Sequence, residues 1–398
     1  MPGLFDGVRV VELADGLPGP FCGKLLAGMG MDVVKVEPPG GDSARRDGPF
    51  PGAVPHPEKS GQFLHLNTSK RSLTADTGTA DGQAILRGLL TNADIVILDL
   101  PPSRLAALHL EPACLQQEWP RLIVASVTPF GLSGPYAEYL GPELVACALS
   151  GYMTLTGFPD REPLKPYGSL LGYQAGLHAA TGSLAALIDR EQSGTGALID
   201  VSTMEAGVFL LGSAQLAAHF FGKRIVRDGA RNVGGTRDGG YPSTIRPCKG
   251  GFVHCHLNAR HRDLLSVLMP DPRWDNPELM KFMHGHADEI DAIMDDWLAD
   301  KDKFDVTRMA QELRLPFTEV MTTGEVMHDE HYQERETFVA VQHPVAGEVV
   351  QPGAPLRMTG FDWRTEAAPT LGQDTCELLG SLGYTPEDMV RLRAAGVI

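Results

Sequence analysis

The chain has 398 residues, of which 43% are hydrophobic and 21% charged, values typical of a folded globular protein with a large core. Its 34 Lys and Arg residues against 50 Asp and Glu residues give a formal charge of −16. Nucleic acids and anionic membranes attract basic surfaces, so this charge argues against both as the main partner.

The sequence also argues against export and against insertion into a membrane. The N-terminus has neither the basic region nor the apolar region of a signal peptide. The longest apolar stretch, residues 208–221, is interrupted by polar residues and is too short to span a bilayer. The six cysteines form no CxxC pair, which suits a reducing compartment. We therefore predict a cytoplasmic protein.

The first predicted elements form a βαβ unit. Residues 7–13 and 32–37 are predicted strands, and a Gly- and Pro-rich turn and a helix over 21–29 connect them. The pattern recurs as a helix over 82–92 and strands over 93–98 and 121–128. This succession predicts an α/β fold with a Rossmann-like parallel sheet that binds its ligand at the carboxyl ends of the strands. The first turn has no GxGxxG, so an ordinary dinucleotide site is not indicated.

The later elements predict a second, smaller domain. Small residues mark a predicted helix over 174–190, and a strand over 197–202 follows it. Residues 224–240 are predicted as an exposed loop, residues 288–313 as a charged amphipathic helical segment, and 386–395 as a closing helix. We predict a large domain from residues 1–205 and 335–398, a small α+β domain from 225–330, and a linking helix over 206–224.

One group of residue types could in principle bind a metal: Cys248, His254, Cys255 and His256. On a strand, the two histidines share a face and Cys255 points away, and no second compact ligand pair follows. The spacing favours structural roles, and no metal site is predicted.

A family resemblance rests on motifs that follow one another along nearly the whole chain. In order, they are residues 7–13 (GVRVVEL), the Gly19-Pro20 turn, 31–42 (MDVVKVEPPGGD), 66–72 (LNTSKRS), 131–136 (GLSGPY), 149–153 (LSGYM) and 194–202 (GTGALIDVS). Together they resemble the family III CoA-transferases, the CaiB/BaiF family. The resemblance implies that the substrates are a CoA thioester and a free carboxylic acid. It also implies an interlocked dimer, in which two chains thread through one another.

CoA carries a pyrophosphate and a ribose phosphate, which need cations and backbone N–H donors. The candidate cations are Arg45, Arg46, Lys70, Arg71 and Arg104. The resemblance places the Asn-x-x-Lys-Arg-Ser motif against the nucleotide, whereas the alternative is that these are solvated surface charges. The family's acidic-Asn-x-x-Pro-Gly turn is replaced here by residues 99–103 (DLPPS), which predicts an altered pocket on that side.

The residue at the family's nucleophile position is a glycine. At the position of Gly172 the family carries an aspartate whose carboxylate takes the acyl group from the thioester, and glycine cannot form that covalent intermediate. Leu17 stands where the formyl-CoA transferase branch carries glutamine, and Pro142 where the racemase branch carries a histidine base. The Gly-rich loop expected near the thioester is not recognisable, although Gly234-Gly235 or Gly239-Gly240 could serve.

Glu143 is the carboxylate best placed to substitute for the missing aspartate, because it occupies the family's Gly-x-Asp position beside the thioester pocket. Three hypotheses follow. The first is a heteromeric acyl-CoA:carboxylate CoA-transferase of the succinyl-CoA type, in which a homologous second subunit carries the aspartate and this chain alone is inactive. The second is a CoA-thioester lyase, hydratase or isomerase that uses Glu143 as acid or base. The third is a non-catalytic CoA-binding or scaffold homodimer.

Overall fold

The computed structural model describes residues 4–222, 225, 227, 229–231, 241–257 and 259–398. Contacts between Cα atoms group the chain into two compact units. The first unit comprises Met1–Tyr152, Pro166–Leu211 and His331–Ile398. The second unit comprises Met153–Lys165 and Gly212–Glu330.

A parallel six-stranded sheet forms the centre of the first unit. Its strands are β1 (Arg9–Leu13), β2 (Asp32–Glu37), β3 (Arg71–Thr74), β4 (Ile95–Leu98), β5 (Ile123–Thr128) and β6 (Leu198–Ser202). Runs of Val, Ile and Leu suit strands that are buried on both faces. The order β3-β2-β1-β4-β5-β6 is that of a doubly wound sheet, so the predicted α/β class is confirmed.

Helices cover both faces of this sheet. They are α1 (Pro18–Gly28), α2 (Gly61–Leu66), α3 (Ala80–Leu90), α4 (Pro102–Ala107), α5 (Pro112–Glu118), α6 (Glu143–Leu149), α7 (Leu170–Ser193) and α8 (Thr203–Phe209). Successive residues of a strand point to opposite faces, so Val10 joins the apolar cluster of α1 and α7 whereas Val11 joins that of α3. The sheet therefore separates two buried layers.

Helix α7 begins four residues earlier than predicted and lies against α1. Small residues allow the close approach: a Cβ atom added at Gly176 would lie 2.5 Å from the carbonyl oxygen of Pro18. Because α1 follows β1 and α7 precedes β6, their contact brings the amino end of α7 to the loop that leaves β1. This contact positions Gly172 in the site described below.

The segment predicted as one linking helix over 206–224 is instead two helices in its described part. α8 ends at Phe209, and α9 (Ala214–Phe221) begins after a break. Gly212 in the break has a φ of 60°, a left-handed conformation that favours glycine and cannot continue an α-helix.

The C-terminal part of the first unit holds elements that the sequence did not predict. β10 (Phe338–His343) and β11 (Gly347–Pro352) pair as an antiparallel hairpin. α16 (Thr375–Ser381) then precedes the closing helix α17 (Pro386–Ala394). Leu378 and Leu379 of α16 are buried against the same layer as Val11, so the chain end returns to the large sheet.

The second unit contains an antiparallel sheet of β7 (Ser243–Cys248), β8 (Gly251–His256) and β9 (Thr318–Val320). In chain order, this unit also contains the helices α10 (Asp263–Leu268), α11 (Pro277–Lys281), α12 (Ala287–Leu298), α13 (Lys303–Glu312) and α14 (Thr323–His328). The next helix, α15 (Glu330–Glu334), belongs to the first unit except for its first residue. The helical segment predicted over 288–313 is interrupted, because Asp302 caps a new helix at the N–H of Phe304. Most of the predicted loop over 224–240 lies outside the described residues. No helix in the described part of the chain is long and apolar enough to cross a membrane.

Candidate functional site

Two cavities of about 350 Å³ each open at the carboxyl ends of the β-strands in the first unit. This is the edge at which doubly wound sheets bind ligands. Asp15 and Asp99 line both cavities. We call the first the sheet-edge cavity; its lining includes Leu13, Lys35, Glu37, Arg46, Asp76 and Arg104. We call the second the Gly172 cavity; its lining includes Leu17, Val127, Pro142, Glu143, Gly172 and Thr203.

A buried ion network lies behind these cavities. The ammonium of Lys35 lies 2.9 Å from Glu12 Oε1 and 2.6 Å from Asp42 Oδ2, and the side chains of all three are almost completely buried. Burial disfavours the charge on Lys35, but Glu12 and Asp42 outweigh it and raise the pKa of Lys35. Asp42 also accepts the N–H groups of Gly16 and Ala44. Lys35 therefore anchors two loops that line the site.

Two of the predicted CoA ligands are buried within protein contacts. Arg45 binds Glu37 through Nε and Nη2, binds Glu58 through Nη1, and stacks on the ring of Phe63. Its donor edge and one face of its guanidinium are therefore occupied by the chain itself. The predicted contact between Arg45 and CoA stays a prediction, and these contacts give it no support.

Lys70 is bound in the same way. Its ammonium lies 2.7 Å from Glu12 Oε2 and donates to the carbonyl oxygen of Pro20 and to Asn67 Oδ1, which uses all three donors. Burial lowers the pKa of Lys70 to about 8, although Glu12 opposes the shift. In this geometry Asn67 and Lys70 of the motif hold α1 to β1, and contact between Lys70 and CoA stays a prediction.

Arg71 lies at the amino ends of the strands, opposite the two cavities. It is the first residue of β3, opposite Val34, and it lies near Asp32 and Glu377 at 3.6 and 2.7 Å. Lys70 immediately precedes β3 and Arg71 begins it, so both lie at the amino end of a strand rather than after one. Both cavities described above are at the carboxyl edge, so the structure does not bring Arg71 together with Arg104.

Arg46 and Arg104 are the arginines that line the sheet-edge cavity. Both are exposed, and in the described part of the chain neither forms an ion pair. Arg46 belongs to the turn capped by Asp42, and Arg104 belongs to α4 after the altered Asp99–Ser103 turn. Two unpaired guanidinium groups at one rim suit the phosphates of a nucleotide.

Gly172 lies buried in the first turn of α7, and a neighbouring side chain fills the space beside it. A Cβ atom added there would lie 2.8 Å from Leu17 Cδ2 and 3.6 Å from Glu143 Oε2. A contact of 2.8 Å forces the neighbour to move. Leu17 and Gly172 are therefore a matched pair, because the leucine occupies room that a longer side chain at 172 would need.

Glu143 caps helix α7 from a different helix. Its Oε1 accepts the N–H of Leu171 at 2.8 Å, and its Oε2 accepts the N–H of Gly172 at 3.1 Å. The N-cap residue Ser169 makes no such bond. The first N–H groups of a helix have no partner within the helix, and Glu143 satisfies two of them. The carboxylate of Glu143 lines the Gly172 cavity, and its hydrogen bonds to Leu171 and Gly172 fix its position.

Asp15 and Asp99 line both cavities, and the pKa of each of their carboxyl groups is raised. Asp99 Oδ2 accepts the N–H of Asp15 at 2.6 Å, and Asp15 Oδ1 accepts the N–H of Ser43 at 2.6 Å. Burial, with the charges of Asp15 and Asp42, raises the pKa of Asp99 to about 7. Burial and the nearby Asp42 also raise the pKa of Asp15. Burial is the largest cause of both shifts, and the neighbouring carboxylates add to it.

The sequence missed Lys35, Asp15 and Asp99 as site residues. A lysine within the apolar run of β2 is a usable signal, because a charge inside a buried strand needs a partner. The two aspartates follow β1 and β4 within a few residues, where parallel strands bring side chains together. Gly234-Gly235 and Gly239-Gly240 lie outside the described residues.

Cys248, His254, Cys255 and His256 form no metal-ligand set in the part of the chain that the structure describes. His254 and His256 lie on β8 with stacked rings, and no group of three His, Cys, Asp or Glu side chains there could hold an ion.

Comparison with known proteins identifies the family. The family model described as CoA-transferase family III matches residues 5–375. Among the similar curated proteins is the succinyl-CoA–D-citramalate CoA-transferase of Chloroflexus aurantiacus, 31% identical over 100% of this chain and 98% of that protein. The formyl-CoA:oxalate CoA-transferase of Streptomyces avermitilis is 30% identical over 99% of both chains.

Two further likenesses concern assembly and fold. The succinyl-CoA:(R)-benzylsuccinate CoA-transferase subunit BbsE of Thauera aromatica is 28% identical over 99% of this chain and 98% of its own. A crystal structure of a CaiB/BaiF family protein from Brucella suis superposes with a TM-score of 0.87, at 27% identity over 96% of this chain and 100% of that one. The chain belongs to the CoA-transferase family III.

Proposed function

We propose that this chain is the nucleophile-lacking subunit of a heteromeric acyl-CoA:carboxylate CoA-transferase of the succinyl-CoA type. A homologous second subunit would supply the aspartate, and this chain alone would be inactive. The observation that carries the proposal is Gly172: the position has no side chain, and Leu17 fills the space beside it. A family relative that is itself a named subunit, BbsE, supports the heteromeric arrangement.

The chain retains features that suit a CoA thioester. The sheet-edge cavity has two exposed arginines at its rim, and it shares Asp15 and Asp99 with the Gly172 cavity. A nucleotide at the rim would leave the thioester arm directed toward the second cavity. We therefore keep Arg104 as a CoA ligand and add Arg46 to it.

Arg104→Ala should weaken CoA binding by about tenfold, because a charge-assisted bond to a phosphate is lost. Isothermal titration with CoA at two salt concentrations checks this, and the loss should shrink as salt rises. Arg9→Ala is the matched control, since Arg9 is an exposed arginine at the opposite edge of the sheet and should leave the affinity unchanged. Equal losses in both variants would contradict the assignment.

Exposed apolar side chains on the first unit support an obligate oligomer. Leu140 is 89% exposed, Ile188 68% and Phe209 78%. Apolar residues this exposed, one just before α6 and the others on α7 and α8, favour a covering partner over a lone monomer. An interlocked dimer would cover such residues, either with a homologous subunit or with a second copy of this chain.

A second candidate function follows from the position of Glu143 in the Gly172 cavity. As an acid or base it could serve a CoA-thioester lyase, hydratase or isomerase. Its carboxylate is already held by two backbone N–H groups, which favours the subunit hypothesis. A CoA-binding scaffold homodimer is the remaining alternative.

Native mass spectrometry of the untagged protein purified from its own source tests the proposal. The expected result is an assembly of this chain with a second chain of similar mass. A pure homodimer that binds CoA would overturn the heteromer and favour the chemistry of Glu143. A homodimer that binds no CoA would favour the scaffold.

A further inference from the structure

Carboxylic acids line the Gly172 cavity. Three of its lining residues are carboxylic acids, namely Asp15, Asp99 and Glu143. The remaining described lining residues are Gly, Leu, Pro, Ser, Thr and Val, so no described cation faces the cavity. The relatives named for succinyl-CoA must bind a dicarboxylic acyl group, and such a group carries its own negative charge.

The nearest buried cations do not offset this charge. Lys35 is paired with Glu12 and Asp42, and Lys70 is paired with Glu12. In contrast, none of the three cavity acids forms an ion pair with a residue in the described ranges. Their oxygens are held by backbone N–H groups, which fix the position of the charge without neutralising it.

We infer that this cavity selects CoA thioesters whose acyl group carries no negative charge and rejects those that end in a carboxylate. The inference rests on the proposed function, because it takes the Gly172 cavity as the acyl end of a CoA site. A further carboxylate placed among the three fixed acids would weaken binding, because like charges repel. An alkyl end would instead contact Leu17, Val127 and Pro142.

This selectivity implies that the two subunits of the proposed heteromer bind different CoA thioesters. The succinyl group would be bound in the partner subunit, which carries the nucleophile. The pocket of this chain would hold a CoA thioester of an uncharged acid.

Butyryl-CoA and succinyl-CoA make a matched pair of probes, because they differ only in a methyl group against a carboxylate at the end of the acyl chain. Titration calorimetry of the full chain, in the assembly in which it is purified, gives both affinities, with CoA itself as reference. At about pH 8 the Asp99 carboxylate is charged, since its pKa is about 7. The partner subunit would itself bind succinyl-CoA, so the comparison is made at the sites whose CoA affinity falls in Arg104→Ala. At those sites we expect succinyl-CoA to bind at least about tenfold more weakly than butyryl-CoA.

Asp99→Asn assigns the effect to this chain. Asparagine keeps an oxygen for the N–H of Asp15 but removes the charge, so the preference for butyryl-CoA should fall by about threefold or more. Asp32→Asn removes one charge at the opposite edge of the sheet and should leave the ratio of the two affinities unchanged. An equal change in both variants would overturn the assignment to the cavity.

The outcomes separate this inference from the proposed function. If succinyl-CoA binds as tightly as butyryl-CoA at the Arg104-dependent sites of a heteromeric assembly, the inference is overturned while the proposed function stands. If none of CoA, butyryl-CoA and succinyl-CoA binds to this chain, its CoA site is refuted and the inference falls with it. Selective binding by a homodimer would support the inference and overturn the heteromer.

Discussion

The double variant Gly172→Asp with Leu17→Gln should gain a covalent adduct that the natural chain does not form. The introduced carboxylate would attack the thioester carbonyl, release CoA thiolate and form a mixed anhydride. The thiolate would then attack the aspartyl carbonyl, which forms an enzyme thioester and releases the free acid. Incubation with butyryl-CoA followed by intact mass spectrometry detects the added CoA mass.

Gly172→Asp alone is the matched control, because the leucine still occupies the required space. A Cβ atom at 172 meets Leu17 Cδ2 at 2.8 Å, so the single variant should place its carboxylate poorly. The unbranched glutamine introduced by Leu17→Gln can turn aside, and we expect the double variant to label about 100-fold faster than the single one. Equal labelling of the two would show that Leu17 does not restrict the site. Labelling of the natural chain would contradict the loss of the nucleophile.

Lys35→Met should lower the free energy of unfolding by about 3–5 kcal/mol. The substitution leaves Asp42 without its buried cation and weakens the pairing of Glu12, and breaking a buried ion pair from one side is costly. Urea unfolding followed by circular dichroism, at fixed protein concentration, measures the change.

Arg71→Met is the control for this prediction. Arg71 is partly exposed, its partner Glu377 is mostly exposed, and exposed ion pairs contribute little stability. We expect a loss below about 1 kcal/mol. If Lys35→Met were as mild as Arg71→Met, Lys35 would not be the anchor of the loops at residues 14–17 and 42–46.

The fold class could be predicted because the alternation of apolar strands and helices recurs along the chain. The apolar runs at β1, β2, β4 and β5 alternate with helical segments, and each run is long enough to identify a buried strand. Breaks inside helical segments were harder to predict. The interruption at Gly212 depends on one backbone conformation, and the one before α13 depends on a single cap.

The roles of the charged residues could not be predicted, because their partners are distant in sequence. Lys35 meets Glu12 across 23 residues, and Glu143 meets Gly172 across 29. The motif that contains Lys70 and Arg71 is recognisable in the sequence, but only the three-dimensional structure separates a buried lysine from an arginine at the far edge of the sheet. The assignment of Gly172 to the nucleophile position comes from the order of motifs and stays a prediction, and the structure adds that Leu17 lies beside it.

We expect that this chain never carries the acyl group or CoA covalently. The most direct test incubates the assembly, purified from its own source, with its acyl-CoA and traps intermediates with hydroxylamine or borohydride. Mass spectrometry then measures each chain separately. We expect the mass of the partner chain to increase and the mass of this chain to stay unchanged. A trapped adduct on this chain, at Glu143 or at any other residue, would contradict it.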